Sequence, residues 1–195
     1  MKGGPNYRLK QRRRREGKTN YYRRYTYVVS DVERLVARFT NTAIIASLAK
    51  FDPKGDVMVA SATSFELPKK FGWKGDLNNT SAAYLVGYLL GKRAVKVGVK
   101  KAVLDIGNRI PTKGSKLFVV AKGAIDAGID IPMSAEVSEE RIRGEHVASY
   151  AQSLEQQDPE TYKKVFSKYL ERGLEPKNLP SHFQEVLSKI KEADS

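Results

Sequence analysis

The first 27 residues, MKGGPNYRLKQRRRREGKTNYYRRYTY, constrain the fold most strongly. Leu9 is their one Leu, Ile or Val, and the next is Val28. Such a segment cannot bury enough apolar surface to offset the entropy of ordering it. By itself it is expected to be disordered or loosely helical, so any core must be built from Val28 onward.

What the segment lacks in apolar side chains it carries in charge. Residues 1–25 hold ten Lys and Arg against one acid, Glu16, while five of the ten tyrosines fall between Tyr7 and Tyr27. Guanidinium groups pair with phosphates and stack on bases, and tyrosine rings stack on unpaired bases. The candidate contacts are Tyr7, Arg8, Lys10, Arg12, Arg13, Arg14, Arg15, Lys18, Tyr21, Tyr22, Arg23 and Arg24. A run of like charge is often only a solvated face or an import signal. The interleaved tyrosines and the near absence of acids favour nucleic acid. RNA is favoured over DNA because no helix-turn-helix, zinc finger or basic zipper follows. An anionic membrane is the weaker alternative, since the segment has no amphipathic apolar face.

Composition removes other classes. The chain has 195 residues, no cysteine and two histidines, so disulfides, thiolate nucleophiles and Cys- or His-based metal clusters are not expected. No apolar run has the length of a membrane span and the N-terminus is polar, which predicts a soluble cytosolic protein without cofactor or metal. Net charge changes along the chain. Residues 26–133 carry 16 basic and nine acidic side chains, whereas residues 134–195 carry nine and twelve. This predicts three parts: a basic arm over 1–27, an α/β domain over 28–133 and a helical extension over 134–195.

Within 28–133 the period-two alternation of Arg34–Phe39 predicts a strand, and AIIASLAKF and VMVASATSF predict two more around an Asp52–Asp56 turn. Residues 65–80 read as a loop in which Trp73 is a packing anchor. A helix capped at Asn78, Asn79 or Thr80 runs to about Lys96, with Gly87 and Gly91 on one face for close packing. A short strand over Lys101–Gly107 and a helix capped by Ser115 complete a β-β-β-α-β-α order, hence a mixed sheet packed on helices. Arg109, Lys113 and Lys116 flank the start of that last helix, a place where phosphate oxygens are welcome. In the extension, residues 138–157, 159–173 and 181 onward read as amphipathic helices, the second opened by Asp158-Pro159-Glu160. His146 is expected on a helix face or in the interior, and His182 in solvent.

The competing function class is a magnesium-dependent nuclease of ribonuclease-H-like type, with Asp52, Asp56, Asp105 and Asp126 as its carboxylates. The strand Arg34–Phe39 supplies no acid, and Asp105 can as well brace the loop that follows it.

Five stretches together resemble the large-subunit ribosomal protein eighteen family in its archaeal and eukaryotic branch, most closely the archaeal members. They are RRRREGKTNYYRR, GWKGDLNNTSAAYLVGYLLGKRA, AVLDIG, LFVVAKGAIDAGIDIP and RIRGEH, in the family's order across nearly the whole chain. The chain departs from the family's pattern at Glu33-Arg34, often Pro-Arg, and at Ser47, often glutamine. The resemblance implies a ribonuclease-H-like domain of the translational-machinery type without catalysis. It implies an arm embedded in RNA, with 5S rRNA, large-subunit (23S-type) rRNA and a neighbouring 5S-binding ribosomal protein as partners, in the ribosome's central protuberance.

Overall fold

The computed structural model describes residues 4–5 and 7–193; the first three residues of the arm, Asn6 and the last two of the tail lie outside it. Strands β1 (Glu33–Phe39), β2 (Ile44–Lys50) and β3 (Val57–Thr63) form an antiparallel meander. β4 (Ala102–Asp105) adds parallel to β1, giving the order β3-β2-β1-β4 and the expected mixed sheet. A register shift between Leu48 and Ala49 bends the β2–β3 pair.

Alternation along β1 divides the sheet into two faces. Leu35 and Ala37 point with Ile44, Ala46, Leu48 and Ala62 into the core. Arg34, Val36 and Arg38 point the other way. The core face is covered by helix α4 (Thr80–Lys96), whose N-cap Asn79 accepts from the Ala82 amide at 2.7 Å. Helix α5 (Lys116–Asp126), capped by Ser115, packs on α4. Here Gly87 and Gly91 act as predicted: a Cβ on Gly87 would collide with the Val120 backbone and one on Gly91 with Ala127 Cβ. Gly123 of α5, not singled out in the sequence, meets Tyr84 O in the same way. Only hydrogen at these positions lets the two helices approach so closely.

The segment read as a loop over 65–80 contains a short helix, α3 (Glu66–Phe71), closed by Gly72 at φ 71°. Six residues around Pro68 are too few to show a helical period. Trp73 is buried as expected, and its indole donates to Asp76 O at 3.1 Å. Glu66 holds this corner together. It accepts from the Thr63 amide at 3.1 Å and pairs with Lys70 and with Arg93 of α4. The Arg93 guanidinium, against the opposing cost of burial, brings its pKa from 4.5 down to about 2. A depressed carboxylate contributes stability above its unfolded pKa and loses it as pH falls through the folded one. Glu66→Gln is therefore expected to cost about 2–3 kcal/mol at neutral pH. The deficit should shrink between about pH 5 and pH 2 in urea titrations. A deficit unchanged across that window would mean the pairing contributes nothing.

The tail helices differ from their expected bounds. Residues 138–157 form two helices, α6 (Glu139–Arg143) and α7 (Glu145–Gln157), because Gly144 turns the chain at φ 82° against Leu179. Asp158 caps the next helix as predicted, but that helix breaks at Phe166 into α8 (Pro159–Val165) and α9 (Ser167–Glu171). The last helix, α10 (Leu179–Ala193), starts two residues before Ser181, after a 3₁₀ turn over Pro176–Asn178. Its Phe183, Val186 and Ile190 belong to the same core as α4, while Ala151, Tyr162 and Phe166 form a small separate cluster. His182 is not in solvent. It stacks on Trp73 with ring centres 5.2 Å apart and accepts from the Lys74 amide at 3.0 Å. His146 is exposed at the start of α7.

Candidate nucleic-acid interface

The arm contains two helical pieces. Arg12–Arg15 make a single turn, α1, and Tyr21–Val29 form α2. Gly17, at φ 65°, reverses the chain between them, and the Arg13 carbonyl accepts the Lys18 amide at 2.9 Å. Asn20 caps α2 by accepting from the amides of Tyr22 and Arg23. No residue of either helix is buried.

Polar bonds fasten this arm to the sheet. Arg24 of α2 forms a two-pronged pair with Asp56, at 2.8 and 3.0 Å. Asp56 also accepts from Arg34 of β1 at 2.6 Å, and Arg34 reaches Asp105 of β4 at 3.0 Å. Burial works to raise the Asp56 pKa, but the two arginines together hold it below the usual carboxylate range. Arg23 donates to Gly107 O at 3.1 Å, and Asn108 donates to Gly17 O. The arm thus lies over the sheet face that α4 leaves uncovered.

This docking gathers part of the predicted contact set. Arg13, Lys18, Arg23, Arg24 and Arg109 line one cleft of about 380 Å³ between arm and sheet. Arg12, Arg14 and Arg15 are exposed on the arm beside it. Arg14 lies 5.1 Å from the centre of the Tyr22 ring, and its guanidinium, bonded to the phenol, lowers the Tyr22 pKa. Glu16 pairs with Lys18 at 2.9 Å and more loosely with Arg12 at 3.8 Å, surface contacts of small worth. Tyr7, Arg8 and Lys10 are exposed. Tyr21 is half-buried in a depression shared with Leu9, Tyr25 and Phe51.

The three candidates near α5 separate. Arg109 stacks over the Phe39 ring at 4.8 Å and faces the cleft. Lys113 is exposed in the loop before α5. Lys116 turns inward and donates to Asn78 O and Oδ1 at 2.8 and 2.9 Å, and burial lowers its pKa. Arg34 and Arg38 of β1, the first buried under the cleft in its pairs with Asp56 and Asp105 and the second exposed in it, and the exposed Tyr25 were not among the sequence candidates. The period-two pattern of β1, which puts Arg34, Val36 and Arg38 on one face, was the signal for the first two.

The four candidate nuclease carboxylates do not converge on a shared site. Asp52 accepts from the Lys54 amide at 2.8 Å within its turn. Asp126 takes the Tyr84 hydroxyl at 2.8 Å and pairs with Lys122 at 3.0 Å. Asp56 and Asp105 are bridged by the guanidinium of Arg34, and Asp105 also accepts from the Gly107 amide at 2.9 Å, bracing the following loop. Among the described residues no three acidic, His or Cys side chains group as metal ligands.

A family model described as ribosomal large subunit proteins 60S L5 and 50S L18 matches residues 5–100. The large ribosomal subunit protein uL18 of Sulfurisphaera tokodaii is 66% identical over 98% of this chain and 98% of its own length. This chain belongs to that family of large-subunit ribosomal proteins. The uL18 proteins of Saccharolobus solfataricus and Saccharolobus islandicus are each 58% identical over 98% of the chain, covering 96% and 98% of their own lengths. The likeness therefore runs through α5 and the tail, beyond the span of the family model. In this member of the family, Asp56 ties the arm to the sheet through Arg24, and Asp105 ties β4 to β1 through Arg34, so neither stands free as a nuclease carboxylate.

Proposed function

We propose that this structural constituent of the large ribosomal subunit binds 5S rRNA through its arm. In this reading it helps attach 5S to the 23S-type rRNA in the central protuberance, beside another 5S-binding ribosomal protein, on cytoplasmic ribosomes. The observation that carries the reading is the arm itself: exposed arginines and tyrosines held against the sheet by the Arg24–Asp56 pair. Phosphate contacts from such side chains position an RNA, and exposed rings such as Tyr7 and Tyr22 can stack on unpaired bases. Arg8, Lys10, Arg12–Arg15, Lys18, Arg23, Arg109 and Lys113 are the proposed phosphate contacts, with Tyr21 at the edge of the surface. Arg24 and Lys116 contribute by fixing the arm and the α5 start. Purification from cells under non-denaturing conditions, followed by sequencing of the bound RNA, is expected to recover 5S rRNA. Recovery of other RNAs without enrichment of 5S would overturn the choice of partner.

A further inference from the structure

The cleft between arm and sheet has two unlike walls. Its floor is apolar, formed by Val36, Ala49 and Met58 of β1, β2 and β3. Its rim is cationic. Arg24 and Arg34 are matched there by Asp56 and Asp105. Among the described residues, Arg13 and Arg23 bond to neutral oxygens, of Thr19 and Gly107. Arg109 bonds to Phe39 O at 3.4 Å and stacks on that ring. Arg38 is exposed, with no ion pair among the described residues. Four guanidiniums therefore face one space with no carboxylate paired to them among the described residues.

We infer that this cleft seats one nucleotide of the bound RNA, extruded from its neighbours, with the base on the Val36–Met58 floor and its phosphates among Arg13, Arg23, Arg38 and Arg109. The proposal rests on the RNA-binding reading above and assigns it a subsite. A phosphate alone would leave most of about 380 Å³ and the apolar floor unfilled; a nucleotide unit fills both. Pairing of an unpaired base with an apolar or aromatic surface, and of its backbone with arginines, is how single strands are held without a helix groove. The neighbouring exposed Arg12, Arg14 and Arg15 continue the positive surface past the cleft, which suits a strand rather than a free nucleotide.

Met58 makes the test direct, because it stands on the floor, 60% exposed, and the sequence has only three methionines. The full chain carrying ¹³C-methyl methionine is titrated with 5S rRNA, the Met58 signal being assigned with Met58→Leu. An upfield ring-current shift at Met58, and none at Met133, is expected. Arg38→Glu should remove that shift and weaken 5S binding by about tenfold, the scale of one lost base stack with its phosphate contact. Tight 5S binding with an unmoved Met58 and a neutral Arg38→Glu overturns the subsite and leaves the RNA-binding reading standing. Failure of 5S rRNA to bind at all removes both. Adenosine 5′-monophosphate producing the same shift at micromolar concentration would make the cleft a free-nucleotide site instead. Inorganic phosphate reproducing the whole effect would reduce it to an anion site. Either result overturns the assignment.

Discussion

Replacing Arg12, Arg13, Arg14 and Arg15 together with alanine is expected to flatten the log–log salt dependence of 5S rRNA binding by about three. Each phosphate neutralised contributes about 0.7–0.9 to that slope. Four residues set the upper limit, and the structure trims it, since Arg12 lies near Glu16 and Arg13 is tied to Thr19. Over a fourfold rise in salt from about 50 mM, a slope change of three alters the ratio of wild-type to variant affinity by about 60-fold. Alanine keeps the helical turn of α1, and none of the four is buried, so fold stability should stay within about 0.5 kcal/mol of the parent. Arg24→Ala should behave differently. Its guanidinium is committed to Asp56, so the loss is expected in arm docking, with amide protection of α2 falling and the slope changing little. A four-arginine variant with the parent's slope and an intact core would show that the arm is a solvated tail.

Arg34→Met is expected to destabilise the protein by about 3 kcal/mol. Removing one partner from a buried ion cluster typically costs about 3–5 kcal/mol, because it strands the opposite charge. Arg34 is 3% exposed and binds both Asp56 and Asp105. Two features place the cost at the low end. Arg24 still pairs with Asp56, and the Arg34 Nε is buried with no acceptor among the described residues, so the native cluster already carries an unmet bond. For a chain of this size the loss corresponds to a drop of about 6–12 °C in Tm. Asp105→Asn in the same background should recover part of the loss by removing the stranded charge. Alone, Asp105→Asn should leave RNA binding nearly intact, because the carboxylate is turned to Arg34 and the Gly107 amide. Arg34→Met with unchanged urea unfolding would mean that the bridge between Asp56 and Asp105 has no net worth.

What the sequence determined by itself lay in local pattern. Alternation of side chains placed β1, and apolar runs on either side of the Asp52–Asp56 turn placed β2 and β3; Ser115 and Asp158 capped the helices they were expected to cap, and Asn79 proved to be the cap among the three neighbouring candidates. Gly87 announced a close helix approach before its partner was known, since a glycine in a helix interior costs propensity that packing must offset. The charge and tyrosine content of residues 1–27 pointed to nucleic acid without any fold. Tertiary structure decided how these parts meet. The count of apolar residues gave the arm no reason to join the core. It is joined through Arg24–Asp56 and Arg23–Gly107, contacts 32 and 84 residues apart in sequence that leave no periodic trace. The same holds for His182, whose place on Trp73 depends on α10 returning to the main core. Asp56 and Asp105 look like a metal pair when seen as carboxylates in a list of residues. Only the pairing of β1 with β4 on one side and with β2 and β3 on the other, which sets Arg34 between them, turns them into structural braces, with Asp56 also holding the arm through Arg24.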